Sequence, residues 1–252
     1  MAETMRRPWA PRPARVVALV VLTACIAVTS TILAGPAALP VRGKLVGWEK
    51  LLPQVYVEAA KAESHRFTWR EPSPTVKQDF RRLSADVSRD VCVVALAASP
   101  SGQPHEPLSI KLTGGRLTPS TMVLPPGSRL SFKNADPFPH VLYEVGNPQW
   151  AASAMAAGST REWAAPAAPG LHQIRDQLFP SVAMYVLVDP AATEYALPAV
   201  DGSFSMTVPP GDYTFRAYFE GKAVGKEVAG VHLADRGLEM REPMSVGGGD
   251  SK

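Results

Sequence analysis

The chain has 252 residues, room for one or two domains, and combines 25 prolines and 19 glycines with 8% aromatic residues, which suits short strands joined by many turns. Its formal net charge of +3 belongs to residues 1–40, where Arg6, Arg7, Arg12 and Arg15 stand against Glu3; the rest of the chain is balanced. A neutral, mixed surface offers no electrostatic footprint for nucleic acid.

The N-terminus joins a basic spacer to an uncharged run from Val16 to Ala34. Nineteen residues as a helix span roughly 28 Å, close to a bilayer core, so residues 1–40 are addressed to a membrane as a targeting helix. Three outcomes stay open. The run can remain as an anchor with its positive end cytoplasmic; it can be cleaved near Ala34 to Ala38; or Cys25 can be lipidated, since Leu22-Thr23-Ala24-Cys25 resembles the bacterial lipobox. The apolar run continues through Ile26 to Leu33, where a lipid tether would turn polar, and this favours the anchor. All three place the body of the chain outside the cytoplasm.

From Val41 the pattern alternates, and Val55 and Val57 oppose Tyr56 and Glu58 as in a half-buried strand. Lys61 to Arg89 is charged and carries Pro72 and Pro74, so strands there should be short or peripheral. Val91 to Leu96 is a compact apolar strand in which Cys92 reads as a small buried hydrophobe rather than a soft ligand. Residues 99–107 read as a surface loop that leaves His105 solvated. Ala151 to Gly158 is the best short helix candidate, rich in Ala and ended by Gly.

The stretch from Pro125 to Val188 has the most specific pattern. Pro126-Gly127 turns into a strand that alternates Leu130 and Phe132 with Ser131 and Lys133, followed by Asn134, Asp136 and His140. Pro169-Gly170 turns into a second strand ending at Asp176, and after Phe179, Pro180 and Val182 comes Tyr185-Val186-Leu187-Val188. This stretch resembles the cupredoxin-like domain of plastocyanin-type and methylamine-utilisation-type proteins. In those families the first half runs Phe-x-Asn-x-Asp to a His, and the second carries Cys-x-x-His-Pro-x-Met before the final strand. On that resemblance His140 keeps its ligand position, whereas Asp176 stands for the Cys, Phe179 for the second His and Val182 for the Met. A blue-copper site needs a thiolate and two imidazoles, so the resemblance implies a retained scaffold without its redox centre. His140 is then either a loop imidazole or the remnant of a copper or zinc site joined by Asp176 or His172. Arg175-Asp176 reads as a charged pair, with Arg175 alternatively reaching Asp136.

After Pro190, Asp201-Gly202 leads into the alternating Ser203 to Val208, Pro209-Pro210-Gly211 turns again, and Tyr213 to Tyr218 alternates once more. As a hairpin, this turn would place Gly211 at φ > 0. The run is similar to the carboxypeptidase regulatory-like (transthyretin-like) domain, a fold signature without peptidase chemistry. Residues 41–60 look like that domain's opening strands displaced upstream, which implies that the cupredoxin-like unit is inserted into the smaller sandwich.

The expected organisation is therefore all-β: an export segment (1–40), an N-terminal β segment (41–100), a cupredoxin-like Greek-key sandwich (101–190), a transthyretin-like segment (191–243) and a disordered tail (244–252). No Gly-rich phosphate loop, nucleophile elbow or His-Glu-x-x-His run is present. The expected function is non-catalytic binding or structure at the cell envelope, with the membrane and an envelope protein or glycan as partners and no cofactor. Copper or zinc binding around His140 is the alternative.

Intact-mass measurement on membrane and soluble fractions separates the export routes. The expected wild-type mass starts at or near Met1, stays with membranes and is unaffected in kind by Cys25→Ala. A diacylated start at Cys25, or a soluble chain beginning at about residue 35 to 40, would replace the anchor by lipidation or by cleavage.

Overall fold

A computed structural model describes residues 38–54, 84–100 and 102–247. Residues 1–37 of the export segment, with Cys25, the strand expected over 55–59, the rest of the stretch to residue 83, residue 101 and residues 248–252 lie outside them. No helix among the described residues is long and apolar enough to cross a membrane.

The fold is all-β. Among the described residues the first strand is β1 (Leu39–Val46), followed by a 3-10 turn at Trp48–Lys50; a helical turn α1 (Val87–Asp90) leads into β2 (Val91–Ala97). Nine strands follow: β3 (Leu108–Thr113), β4 (Arg116–Thr118), β5 (Thr121–Leu124), β6 (Arg129–Asn134), β7 (His140–Glu144), β8 (Ser153–Met155), β9 (Thr160–Ala164), β10 (Gly170–Asp176) and β11 (Ala183–Val188). The last six are β12 (Ala192–Ala196), β13 (Ser203–Val208), β14 (Gly211–Phe219), β15 (Lys222–Leu233), β16 (Leu238–Glu239) and β17 (Met244–Ser245).

These strands make four sheets and two sandwiches. In the larger, the sheet ordered β4-β3-β6-β9 faces the sheet ordered β5-β11-β10-β7-β8. Ile110, Leu130 and Phe132 from one sheet meet Leu142, Ile174 and Met184 from the other in a closed core. The alternation read in the sequence explains this: Leu130 and Phe132 point inward and Arg129 and Lys133 outward, as period-two side chains must. In the smaller sandwich, the sheet ordered β13-β1-β16, with β17 also on β1, faces the sheet ordered β12-β2-β14-β15. Val41, Leu45, Val93, Phe204, Val208 and Phe215 fill its core.

Strand β2 is buried on both faces. Val91, Val93 and Ala95 belong to the smaller core, whereas Cys92, Val94 and Leu96 form a separate cluster with Val123, Ala192 and Tyr218 beneath the larger sandwich. The continuous apolar run Val91 to Leu96 is what two-sided burial requires. Cys92 sits in that junction as the small hydrophobe expected, and burial pushes its thiol up to about 12. The smaller sandwich takes its strands from before residue 98 and after residue 191, and the strands between them all belong to the larger. Exit and return are neighbours: Leu96 pairs with Ala192, and the Ala97 N–H donates to the Ala191 carbonyl at 2.8 Å.

Several expectations are corrected. Residues 153–155 form β8 against β7 rather than a helix, because the Asn134 side chain takes the carbonyls of Met155 (3.1 Å) and Ala156 (3.1 Å), fixing that backbone extended. His105 is not freely solvated: its ring meets Tyr195 edge-on at 5.5 Å, and its Nε2 is buried. Residues 244–245, expected in the tail, pair with β1, and Val246 is buried beside them. Strands β13 and β14 are not a hairpin. β13 pairs with β1 and β14 with β2, so Pro209-Pro210 carries the chain from one sheet to the other across the smaller core. Gly211 accordingly begins β14 without a positive φ, whereas Gly202 in the preceding turn has φ 81°.

At Gly202 a side chain would also strike the Leu45 carbonyl and the Trp48 ring, while at Gly211 an added Cβ meets only the Tyr213 ring at 3.4 Å. Gly202→Val should therefore lower stability by about 1–3 kcal/mol or more from backbone strain and clash, and Gly211→Ala should change it by less than about 1 kcal/mol. Denaturant midpoints at equal slope check this; a larger loss at Gly211 would contradict the crossing geometry.

Candidate functional site

The inner faces of β7 and β10 carry the chemistry. Antiparallel pairing sets Glu144 opposite Ile174 and Leu142 opposite Asp176. Alternation turns His140, Leu142 and Glu144 inward from β7, and Ile174 and Asp176 inward from β10, with His172 partly buried on the same row. Two acid–imidazole contacts result, one at each end of an apolar Leu142–Ile174 centre.

At the first end His140 is fully buried. Its Nδ1 lies 2.6 Å from Asp176 Oδ2 and its Nε2 lies 3.1 Å from Asp136 Oδ2. Each carboxylate is held in turn by backbone amides. Asp136 accepts from Gly114 N–H (2.6 Å) and Gly115 N–H (2.9 Å), the two left-handed residues of the β3–β4 turn. Asp176 Oδ1 accepts from Leu178 N–H (2.7 Å) and Phe179 N–H (3.2 Å). Asn134 fixes the loop between: its Oδ1 accepts from Asp136 N–H at 2.9 Å and its amide nitrogen donates to the Phe138 carbonyl at 2.9 Å. The rings of Phe179 (4.8 Å) and Phe138 (5.2 Å) cover the imidazole, and these two rings touch each other at 5.1 Å.

At the other end Glu144 is buried and receives Trp163 Nε1–H (2.7 Å) and Asn147 Nδ2–H (2.8 Å), with His172 Nδ1 at 2.6 Å. The far nitrogen of His172 is buried without a partner. Burial alone would raise the carboxyls of Asp136 and Glu144. The amides of Gly115 and Gly114 with His140 outweigh it at Asp136, and Trp163, His172 and Asn147 outweigh it at Glu144, so both titrate below their ordinary values.

The residues expected at one metal site are therefore only partly brought together. His140 and Asp176 meet; His172 does not join them, because it sits at the opposite end of β10 and is taken by Glu144. Arg175 points to the other face of β10, towards the Pro180 carbonyl, and pairs with neither Asp176 nor Asp136. Two ligands of one tetrahedral ion, at bonds of about 2.0–2.3 Å, stand more than about 3 Å apart, so the 2.6 Å His140–Asp176 contact leaves no space for a metal between them. Asp136 occupies the remaining ring nitrogen, Phe179 contributes a hydrocarbon face and Val182 is fully buried. The residues present do not fit a copper or zinc centre: Asp136 and Asp176 each meet His140 directly, and among the described residues no three such side chains are placed to hold one ion. The Gly114-Gly115 pair, flanked by alternating strands, was the sequence signal for the turn that grips Asp136.

Comparison with known proteins returns structures alone: no protein-family model and no curated protein matches the chain. The copper-containing nitrite reductase of Thermus scotoductus SA-01 is 16% identical at TM-score 0.31, over 38% of this chain and 25% of that one. The purple cupredoxin of Nitrosopumilus maritimus is 18% identical at TM-score 0.28, over 32% of this chain and 99% of that one. A reduced amicyanin variant is 15% identical at TM-score 0.30, over 38% of this chain and 99% of that one. The chain thus spans a quarter of the nitrite reductase and nearly all of the two small cupredoxins.

Carboxyls lowered in the folded state contribute stability above their unfolded values, near about 4, and that contribution is lost as the pH falls through the folded values. The unfolding free energy should be steady between about pH 5 and 6 and decline below about pH 4. Glu144→Gln should be less stable at pH 6 and show a shallower decline. A wild-type stability flat to pH 3 in urea titrations would contradict ionised native carboxylates.

Proposed function

We propose that this is a non-catalytic binding or structural protein of the cell envelope, built on a cupredoxin-like sandwich that lacks the blue-copper centre. The observation that carries the reading is the direct 2.6 Å contact of His140 with Asp176, which puts a hydrogen bond where two metal ligands would have to stand apart. Asp176, Phe179 and Val182 at the ligand positions implied by the resemblance point the same way. The smaller sandwich is read as carboxypeptidase regulatory-like, supported by the alternating β13 and β14 with the Pro-Pro-Gly between them and by β1, which joins them from far upstream.

On this reading the protein is extracytoplasmic and tethered by its N-terminal segment. It engages an envelope protein or glycan, needs no cofactor and has no nucleic-acid partner. Metal analysis of protein purified without added metal distinguishes it from metal carriage or electron transfer through His140.

With no thiolate beside His140, copper-loaded protein should show no intense charge-transfer absorption near the red end of the visible spectrum. Titration with Cu(II) followed by absorption spectroscopy checks this. An intense band would overturn the reading and would require the Cys92 thiol to leave the junction between the sandwiches.

A further inference from the structure

The cluster around His140 needs two protons, one on each side of the ring, to be fully hydrogen-bonded. A neutral imidazole has one donor and one acceptor nitrogen, but both nitrogens of His140 face carboxylate oxygens, at 2.6 Å and 3.1 Å. Five backbone N–H groups already donate into the two carboxylates: Gly114 and Gly115 to Asp136, and Val141, Leu178 and Phe179 to Asp176. Amide donors favour the ionised form of a carboxylate; the three on Asp176 all fall on Oδ1 and leave Oδ2 to His140 alone. With both carboxylates ionised by their amides, the two shared protons sit on the ring, one at each nitrogen.

We propose that His140 is a resident cation, an imidazolium held doubly protonated between Asp136 and Asp176, doing the cross-linking that a bound metal ion would otherwise do. The proposal rests on the reading of a cupredoxin-like sandwich without its copper. The cation ties three separate segments: the β3–β4 turn through Asp136, β7 through His140 itself, and the loop after β10 through Asp176. It thereby joins the two sheets of the larger sandwich at the end where their loops meet. The charged groups facing the ring are these two carboxylates, one from the loop before β7 and one from the end of β10. The rings of Phe138 and Phe179 lie against the imidazole, which is fully buried. The net charge of the triad, one negative, is met by the five amides, which is how a buried ionic group is held without a counter-ion. The lowered titration of Asp136 agrees with a cationic neighbour and with its two glycine amides.

The test is nitrogen NMR of the full chain in detergent, labelled at histidine and free of metal, with His140 assigned through its backbone. At about pH 8 an ordinary histidine, titrating near about 6.5, is neutral. His140 should instead show two protonated-type ring nitrogens. A single protonated nitrogen at His140 at that pH would overturn the proposal. Asp176→Asn should return His140 to a neutral ring at about pH 8; a ring that stays doubly protonated in the folded variant would also overturn it. Should the variant fail to fold, the wild-type spectrum still decides. Copper uptake is a separate readout: an intense copper band would sink the parent reading, whereas a neutral His140 in protein that binds no copper would sink the resident cation alone.

Discussion

Strand β2 is the constraint on which both halves of the molecule depend. Its seven residues carry no charge, and its two faces belong to different hydrophobic clusters. A strand with one solvated face would have frayed at such a junction; one buried on both sides fixes the register of the smaller sandwich and gives the larger one a surface to lie on. The pairing of β12 with β2 completes the arrangement, since the point where the chain leaves for the larger sandwich adjoins the point where it returns. Polar contacts lock the seam at its end: Ser120 Oγ donates to the buried Asp90 carboxylate at 2.7 Å, and Thr121 Oγ1 accepts from Glu220 N–H at 3.0 Å.

Within the larger sandwich the two ends of the β7–β10 pair solve the same problem differently. Each buries a carboxylate and an imidazole, which is costly unless both are satisfied. At Glu144 the partners are side chains from three elements, and one His172 nitrogen is left over. At His140 every ring atom capable of a hydrogen bond has a partner, and the anions lean on backbone amides that cannot rotate away. The second arrangement is the stiffer one, and it lies where the loops between strands converge.

The strands were legible because their alternation is clean: Leu130 and Phe132, Phe204 and Met206, and the unbroken Val91–Leu96 each marked a face or a pair of faces. Partner choice was not legible. Ser203–Val208 and Gly211–Phe219 look like a hairpin because Pro-Pro-Gly is turn chemistry, yet both strands bury a face in one core from opposite sheets, and nothing local distinguishes a hairpin from a crossing. Ala151–Gly158 carries helix propensity that tertiary contacts from Asn134 and β7 override. At the site, His140 and Asp176 could be paired from their spacing in a familiar pattern. The separation of His172 could not, because it depends on Glu144, whose role is set by the register of β7 against β10. Asp136 was visible as a residue but not as a clamp, since its grip requires Gly114 and Gly115 from a turn more than twenty residues away.

The composition of the His140 cluster also governs how substitutions there should be read. Removing one member of a buried charged group strands the others, so the loss measured is chiefly the cost of an uncompensated charge rather than the worth of the contact. Asp136, His140 and Asp176 share partners and sit within hydrogen-bonding distance, so their effects cannot add. A cross-link assembled from side chains and amides also forms with the fold itself, with no separate binding event to wait for. On the proposed reading that is the physical difference between this sandwich and a metal-holding one: its loop end is closed by groups the chain already owns, and its stability there follows pH rather than metal supply.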